Sequence, residues 1–364
     1  MKYAVIVGTR PEIIKMAVLI KELKKCSFPH LFIHSGQHYD YHMDGVMLKT
    51  FQLPEPDFNF NVGSGSHSVV TSEIMKKTEG LILREGITAI IVHGDTNTTL
   101  GASLAAAKLN VPVIHVEAGL RSYDKAMPEE INRIIVDHLS TVLFAPTREA
   151  QDNLKNEGIT KGVYVVGQTL VDSIQEVSTQ IDTKNILNKY NLKAKEYVFV
   201  TCHRQENTDN ENRLRSIIDN LNELSEINQH RVIFSLHPRT KERLKEFNLY
   251  SKLLNSKITI LDPPVNFTES IHLQKEAQVI LTDSGGLQEE ACILKTPCLT
   301  LRDSTERPET INCGANRLVN LEKDNIPNII RNSNVLKREW PNPYAIDIDA
   351  PSKRIVEILN EFFS

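Results

Sequence analysis

The stretch Tyr3-Ala4-Val5-Ile6-Val7-Gly8-Thr9-Arg10-Pro11-Glu12 decides the fold class. An unbroken apolar run from Tyr3 to Val7 reads as a strand covered on both faces, the habit of a parallel sheet. Gly8 permits a tight exit, Pro11 suits the first turn of a helix, and Met16, Leu19, Ile20 and Leu23 then recur at helical spacing. Strand, glycine turn and amphipathic helix in that order are the first half of a βαβ unit.

Working outward, the alternation repeats. Apolar runs at 31–34, 89–92, 113–116, 142–145 and 163–166 predict further buried strands, and 97–108 predicts a helix opening with Asn97, Thr98 and Thr99. A polar stretch at 182–196 separates this series from a second, with strands expected at 197–201, 232–236, 258–261, 279–282 and 298–301. Leu214, Ile217, Ile218 and Leu221 mark a helix within it. The prediction is an α/β chain of two doubly wound domains, 1–168 and 169–349, whose ligands lie beyond the carboxyl ends of the strands.

Composition agrees and narrows the function. At about 150 residues per domain, 364 residues make about two domains. The 42 Lys+Arg against 46 Asp+Glu leave a net charge of -4, with no broad basic surface for nucleic acid or an anionic membrane. Cys26, Cys202, Cys292, Cys298 and Cys313 show no paired spacing, so neither a disulfide framework nor a metal site is expected, and a cytoplasmic location is. The apolar start is too short for a signal peptide or a membrane span.

The residues just after the strands carry the chemistry. Arg10 and Lys15 beside a helix start would attract an anion such as diphosphate, although a plain turn with two solvated cations reads the same way. No G-x-G-x-x-G follows the first strand and no G-x-x-x-x-G-K-[ST] occurs, so dinucleotide and ATP chemistry lose support and no cofactor is expected. Asp95 in His93-Gly94-Asp95-Thr96, Glu117 in Val116-Glu117-Ala118-Gly119-Leu120-Arg121 and Glu129 in Met127-Pro128-Glu129-Glu130 are carboxylates at successive strand ends or helix starts. Any one alone is more often a cap, a turn residue or a dipole partner; as a cluster they suit proton transfer. In the second half, Cys202-His203-Arg204-Gln205-Glu206-Asn207 places His203 where it would shuttle a proton or meet a phosphate, or only satisfy a local hydrogen bond. Ser284, Gly285 and Gly286 open a helix with bare N–H groups, Glu290 lies one turn on, and the charged run 302–309 contains Arg307. Together they read as a nucleotide-diphosphate clamp.

Taken in order, these stretches resemble the non-hydrolysing UDP-N-acetylglucosamine 2-epimerases over residues 3–344. The resemblance implies a glycosyltransferase-B type fold: two Rossmann-like domains facing a cleft, with a last helix in 350–364 crossing back to the first domain. It implies a homodimer that takes a UDP-sugar and makes UDP-N-acetylmannosamine, a nucleotide sugar for polysaccharide biosynthesis. It also implies anti elimination of UDP to 2-acetamidoglucal followed by re-addition. By matching motif, Asp95, Glu117 and Glu129 would be the acid/base carboxylates. Arg10, Lys15 and His203 would attend diphosphate and sugar; Ser284, Gly285, Gly286 and Arg307 would hold the phosphates and Glu290 the ribose.

Three departures stand out. Ser270 occupies the position of the usual aromatic residue near uracil, with Phe267 as a substitute; Tyr39-Asp40 replace the common Arg-Glu, which bears on a regulatory site including Gln37 and His237; and 345–349 replaces a Gly-Asp-Gly segment tied to domain closure. The alternatives are a hydrolysing 2-epimerase, a 2-epimerase of a related UDP-acetamido sugar, suggested by Gly36-Gln37-His38-Tyr39-Asp40, and a glycosyltransferase on the same architecture.

Overall fold

A computed structural model describes residues 2–37, 41–226, 231–331, 337–345 and 350–363, with the side chains of 41–44 outside that description. The chain forms two compact units, Met1–Glu176 with Tyr344–Ser364, and Val177–Pro343.

Among the described residues the first unit is built on seven strands, β1 (Tyr3–Val7), β2 (His30–His34), β3 (Phe58–Asn59), β4 (Ala89–His93), β5 (Val113–Val116), β6 (Val142–Ala145) and β7 (Val163–Val165), in the order β3-β2-β1-β4-β5-β6-β7. All neighbours are parallel; Val5 stands beside Phe32 on one side and Ile91 on the other. The apolar run Tyr3–Val7 is buried from end to end because helices cover both faces. Ala4, Ile6, Ile90 and Val92 pack on one face with Ile74, Ala102 and Val136.

The second unit repeats the plan with β8 (Tyr197–Val200), β9 (Arg231–Ser235), β10 (Thr259–Leu261), β11 (Val279–Thr282), β12 (Cys298–Thr300) and β13 (Asn316–Leu318), ordered β10-β9-β8-β11-β12-β13 and parallel throughout. Side chains alternate: Val198 and Val200 meet Leu214, Ile217, Ile218 and Leu221, while Tyr197 and Phe199 face Ile186 and Leu273. The second sheet has the order 3-2-1-4-5-6 and the first the same order with a seventh strand added, so connections diverge between β1 and β4 and again between β8 and β11, the switch points where doubly wound folds bind ligands.

Two strands escaped the sequence reading. β3 and β13 are only two and three residues long, include polar side chains, and are held by pairing with β2 and β12 rather than by an apolar run. The division between units falls at Glu176/Val177, inside the helix Leu170–Gln180, rather than at 168/169. Two bonds tie the start of that helix to the first unit: Ser173 Oγ donates to Ile14 O at 2.5 Å, and Asp172 accepts from Ser352 N at 2.7 Å. The second bond caps the helix Pro351–Phe363, which belongs to the first unit and packs on the helix Arg10–Lys25.

Burial pushes the Asp172 carboxyl up to about 6. Because the folded state favours its protonated form, this stability is present below about pH 4 and is lost as pH rises through 6. Asp172→Asn keeps an acceptor for Ser352 N without the buried charge. It is expected to stabilise the protein by about 1–3 kcal/mol at pH 8 and to leave pH 4 unchanged, measured by thermal unfolding at both pH values.

Candidate active site

Residues that the sequence scatters gather at the carboxyl ends of the strands of each unit. In the first unit the chain leaves β1 through Gly8. A Cβ there would lie 2.0 Å from Thr98 Oγ1 and 2.3 Å from Ser35 Oγ, so close approach of the helix Asn97–Lys108 and of the loop after β2, not turn geometry, demands glycine. Glu12, 2% exposed, accepts from Gly8 N at 2.9 Å, Thr9 Oγ1 at 2.8 Å and Thr96 Oγ1 at 2.9 Å, clamping the loops after β1 and β4 together. Burial pushes its carboxyl up, against the pull of His93 and the Gly8 N–H.

One turn further, Lys15 Nζ donates to Glu117 Oε2 at 2.5 Å in a pair whose side chains are 10% and 6% exposed. Gln168 Nε2 donates to the same oxygen at 2.7 Å, and His93 Nε2 stands 3.3 Å from it. Glu117 holds φ at +72°, in the left-handed region that costs a side-chain-bearing residue of order 1–3 kcal/mol. Glu117 is thus a strained, buried carboxylate held by a lysine and a glutamine. Asp95 is more open, its side chain 26% exposed, and accepts from Arg133 at 2.5 Å. Arg10 is exposed at the start of its helix.

The Glu129-Glu130 pair divides its labour, since consecutive helical residues point about 100° apart. Glu130 is buried and accepts from Ser122 N at 2.9 Å, Tyr123 N at 2.8 Å and Arg133 at 2.9 Å; Glu129 faces solvent. Behind them Asp137 accepts from His115 Nδ1 and Arg121, both at 2.7 Å, while His115 Nε2 meets Gly94 O at 2.8 Å. Burial alone would raise Asp137, but His115 and Arg121 outweigh it and hold the carboxyl below its usual range. This network braces the loop that carries Asp95.

In the second unit the organiser is Asp283, which lies between the strand expected at 279–282 and Ser284. It is fully buried and accepts from His203 N at 3.0 Å, Arg204 N at 2.9 Å, Asn207 Nδ2 at 3.1 Å and Cys202 Sγ at 3.2 Å. Its Oδ1 also stands 3.2 Å from His203 Nδ1. Burial would raise the Asp283 carboxyl; His203, the Arg204 N–H and Asn207 bring it down to about 2 instead. His203 thus has one ring nitrogen held against a carboxylate, and its ring lies 5.3 Å from that of His237. Cys202 and His203 do not form a nucleophile and base, because the thiol turns inward to Asp283.

Ser284 caps the helix Gly285–Ile293. A Cβ at Gly285 would meet Glu306 Oε1 at 2.3 Å and displace that carboxylate, whereas Gly286 is open to 3.9 Å. The Glu306 carboxylate therefore rests against the start of this helix, paired with Arg302 at 2.7 Å and near Arg204 at 3.5 Å. Burial is overridden by Arg307 and Arg302, which hold Glu306 at about 2. Arg307 is 3.2 Å from Glu289. Gln274 Nε2 joins Glu290, at 2.5 Å, to Ser270 Oγ, at 3.0 Å, so two predicted ligand residues share one buried amide.

The remaining predicted positions lie elsewhere. Gln37 Oε1 accepts from Thr98 N at 3.1 Å and Thr98 Oγ1 at 2.8 Å in the first unit; His237 caps the helix Pro238–Glu246 in the second. His38, Tyr39, Asp40 and 346–349 lie outside the described residues. Glu12, Gln168, Asp283, Gln274 and Glu306 were not singled out from sequence. The signal available for Asp283 was its place just after an apolar run, and for Glu306 its place inside the charged run 302–309; Gln168 and Gln274 carried none. Among the described residues no group of three His, Cys, Asp or Glu side chains forms a metal cluster, and no helix is long and apolar enough to cross a membrane.

Two parallel sheets of Rossmann order, each with charged groups at its switch point, define a glycosyltransferase-B type α/β protein. The model of the family described as UDP-N-acetylglucosamine 2-epimerase matches residues 21–360, and the chain belongs to that family of epimerases. It is 46% identical to the UDP-N-acetylglucosamine 2-epimerase of Methanocaldococcus jannaschii over 99% of both chains. The crystal structure of that enzyme in complex with UDP-GlcNAc and UDP superposes with a TM-score of 0.87, covering 99% of this chain and 100% of the other. The Neisseria meningitidis UDP-GlcNAc 2-epimerase bound to UDP-GlcNAc gives 0.87 at 32% identity, covering 99% and 100%. The UDP-2,3-diacetamido-2,3-dideoxy-D-glucuronate 2-epimerase of Pseudomonas aeruginosa is 40% identical over 92% of each chain.

Proposed function

We propose that the protein interconverts UDP-N-acetylglucosamine and UDP-N-acetylmannosamine without releasing free sugar, by anti elimination of UDP and re-addition to 2-acetamidoglucal. The observation that carries this reading is the buried Lys15–Glu117 pair, in a chain 46% identical to an archaeal UDP-N-acetylglucosamine 2-epimerase. The C2 hydrogen is not next to a carbonyl, so inversion requires a base for that proton and stabilisation of the departing diphosphate. Glu117, Asp95 and Glu129 are proposed as the acid/base carboxylates. Gln168 and Lys15 hold the Glu117 carboxylate in one orientation. Arg10, Lys15 and His203 are assigned to diphosphate and sugar; Ser284, Gly285, Gly286 and Arg307 to the phosphates; Glu290 to the ribose; and Ser270 to the uracil side.

Incubation with UDP-N-acetylglucosamine in D2O, followed by NMR, tests the reading. Deuterium at C2 of intact UDP-N-acetylmannosamine is expected. Free N-acetylmannosamine, or no exchange, overturns it. A second substrate reading, a diacetamido UDP-sugar, is favoured by the 40% identity to the Pseudomonas enzyme and is compared in the same assay.

Glu306 adds a further expectation. Its carboxylate is an internal anion among Arg204, Arg302 and the helix start assigned to phosphate, so it competes with the diphosphate for positive potential. Glu306→Gln is expected to tighten UDP binding about three- to tenfold, worth about 0.7–1.4 kcal/mol, measured by calorimetry. Weaker binding would remove the competition.

A further inference from the structure

Cys292 and Cys313 are 21 positions apart with no motif joining them, yet their Sγ atoms lie 3.8 Å apart. Cys292 sits in the last turn of the helix Gly285–Ile293, fully buried, with its carbonyl oxygen accepting from Trp340 Nε1 at 3.1 Å. Cys313 follows the short helix Pro308–Asn312 and is partly exposed. The two thiols are unequal. The Cys292 S–H, with help from the Ala315 N–H and the charge of Lys295, holds the Cys313 thiol below its usual range, whereas Cys292 itself is pushed up. An accessible sulfur with thiolate character beside a buried thiol is the arrangement of an attacking and a resolving cysteine.

We propose that Cys292 and Cys313 form a reversible redox site, closing to an intramolecular disulfide on exposure to a peroxide. The Cys313 thiolate attacks the peroxide O–O bond and becomes a sulfenic acid as hydroxide leaves and takes a proton. The Cys292 sulfur then attacks the Cys313 sulfur, its proton leaves with the sulfenic hydroxyl as water, and the S–S bond forms. Two thiols are oxidised while one hydrogen peroxide is reduced to two waters. The sulfurs must close from 3.8 Å to about 2.05 Å, which places the movement in the turn at Cys313, at the end of a five-residue helix, rather than in the longer helix that holds Cys292. The other three described cysteines do not share this geometry: Cys26 is exposed on the first unit, Cys202 is buried with its thiol donating to Asp283, and Cys298 is buried with its sulfur 3.8 Å from Thr300 Oγ1. The loop closed by the crosslink contains β12 and the Arg302–Arg307 segment, so oxidation would tether the segment that carries Arg307 and Glu306.

The test is intact mass and peptide mapping of the full chain after a small excess of hydrogen peroxide, with free thiols blocked before denaturation. The expected result is loss of two hydrogens, a crosslinked peptide joining residues 292 and 313, and recovery of both thiols with dithiothreitol. Cys26→Ser keeps the crosslink; Cys313→Ser and Cys313→Ala each remove it and leave Cys292 as a thiol. Cys313 trapped as a dimedone-reactive sulfenic acid or advanced to sulfinic acid with Cys292 still free overturns the proposal. So does wild-type protein in which neither sulfur is oxidised.

Discussion

Glu117→Gln is expected to lower kcat by a factor of about 10² to 10⁴, the range a positioned proton-transfer group contributes, while UDP affinity stays unchanged. The physical ground is that Glu117 is held rather than merely present. Its backbone sits at φ +72°, its side chain is nearly buried, and Lys15 and Gln168 donate to a single oxygen. Glutamine preserves volume and an acceptor for those donors, so the fold and the second unit are left intact, but it cannot take a proton. UDP is proposed to be held mainly by the second unit, through Ser284, Gly285, Gly286, Glu290 and Arg307, and glutamine at 117 leaves Arg10 and Lys15 of the first unit in place, which is why binding and turnover separate. Steady-state turnover by NMR and UDP binding by calorimetry check both halves; a kcat within about tenfold of wild type would take Glu117 out of proton transfer. Asp95→Asn is expected to act in the same direction.

Asp283→Ala has the largest expected effect on stability, a loss of about 3–5 kcal/mol, because it strips the acceptor from several buried donors at once. The N–H groups of His203 and Arg204, the Asn207 amide and the Cys202 thiol all point at this carboxylate. The pH dependence has a definite sign. The folded carboxyl lies at about 2, below its ordinary 3.8, so its contribution is present above about pH 4 and is lost as pH falls through 2. The linked stability is about 2–3 kcal/mol over that window. The chain has one tryptophan, Trp340, which is buried in the second unit, so its fluorescence during urea unfolding reports on the affected half. A loss under about 1 kcal/mol would mean that water replaces the carboxylate and that Asp283 is not the organiser of the His203 turn.

Much of the architecture was legible because burial between helices leaves a local signature. A parallel strand covered on both faces is an apolar run, and a helix beside it repeats every three or four residues, so β1, β5, β6 and the helix Asn97–Lys108 coincide with their sequence patterns. β3 and β13 were not legible, since strands this short are made by the neighbour they pair with. At the candidate site, residue types at strand ends were readable, but their partners were not. Glu129 and Glu130 look alike in sequence, and only the helix Pro128–Leu139 turns one inward and the other outward. Gly8 reads as a turn residue, whereas contact with Ser35 and Thr98 is what excludes a side chain.

By itself, the order of apolar runs and glycine turns determined two doubly wound units and the strand ends where chemistry gathers, and the motifs at those ends carried the resemblance to the family. Only the tertiary structure decided which charge meets which: Lys15 with Glu117, 102 positions away, Asp283 with the backbone of His203, 80 away, Glu306 against Gly285, and Cys292 beside Cys313. Local pattern reports on neighbours within a few residues, whereas these pairs arise where strand order brings distant segments together at the edge of a sheet. Their strength depends on burial that no single segment supplies.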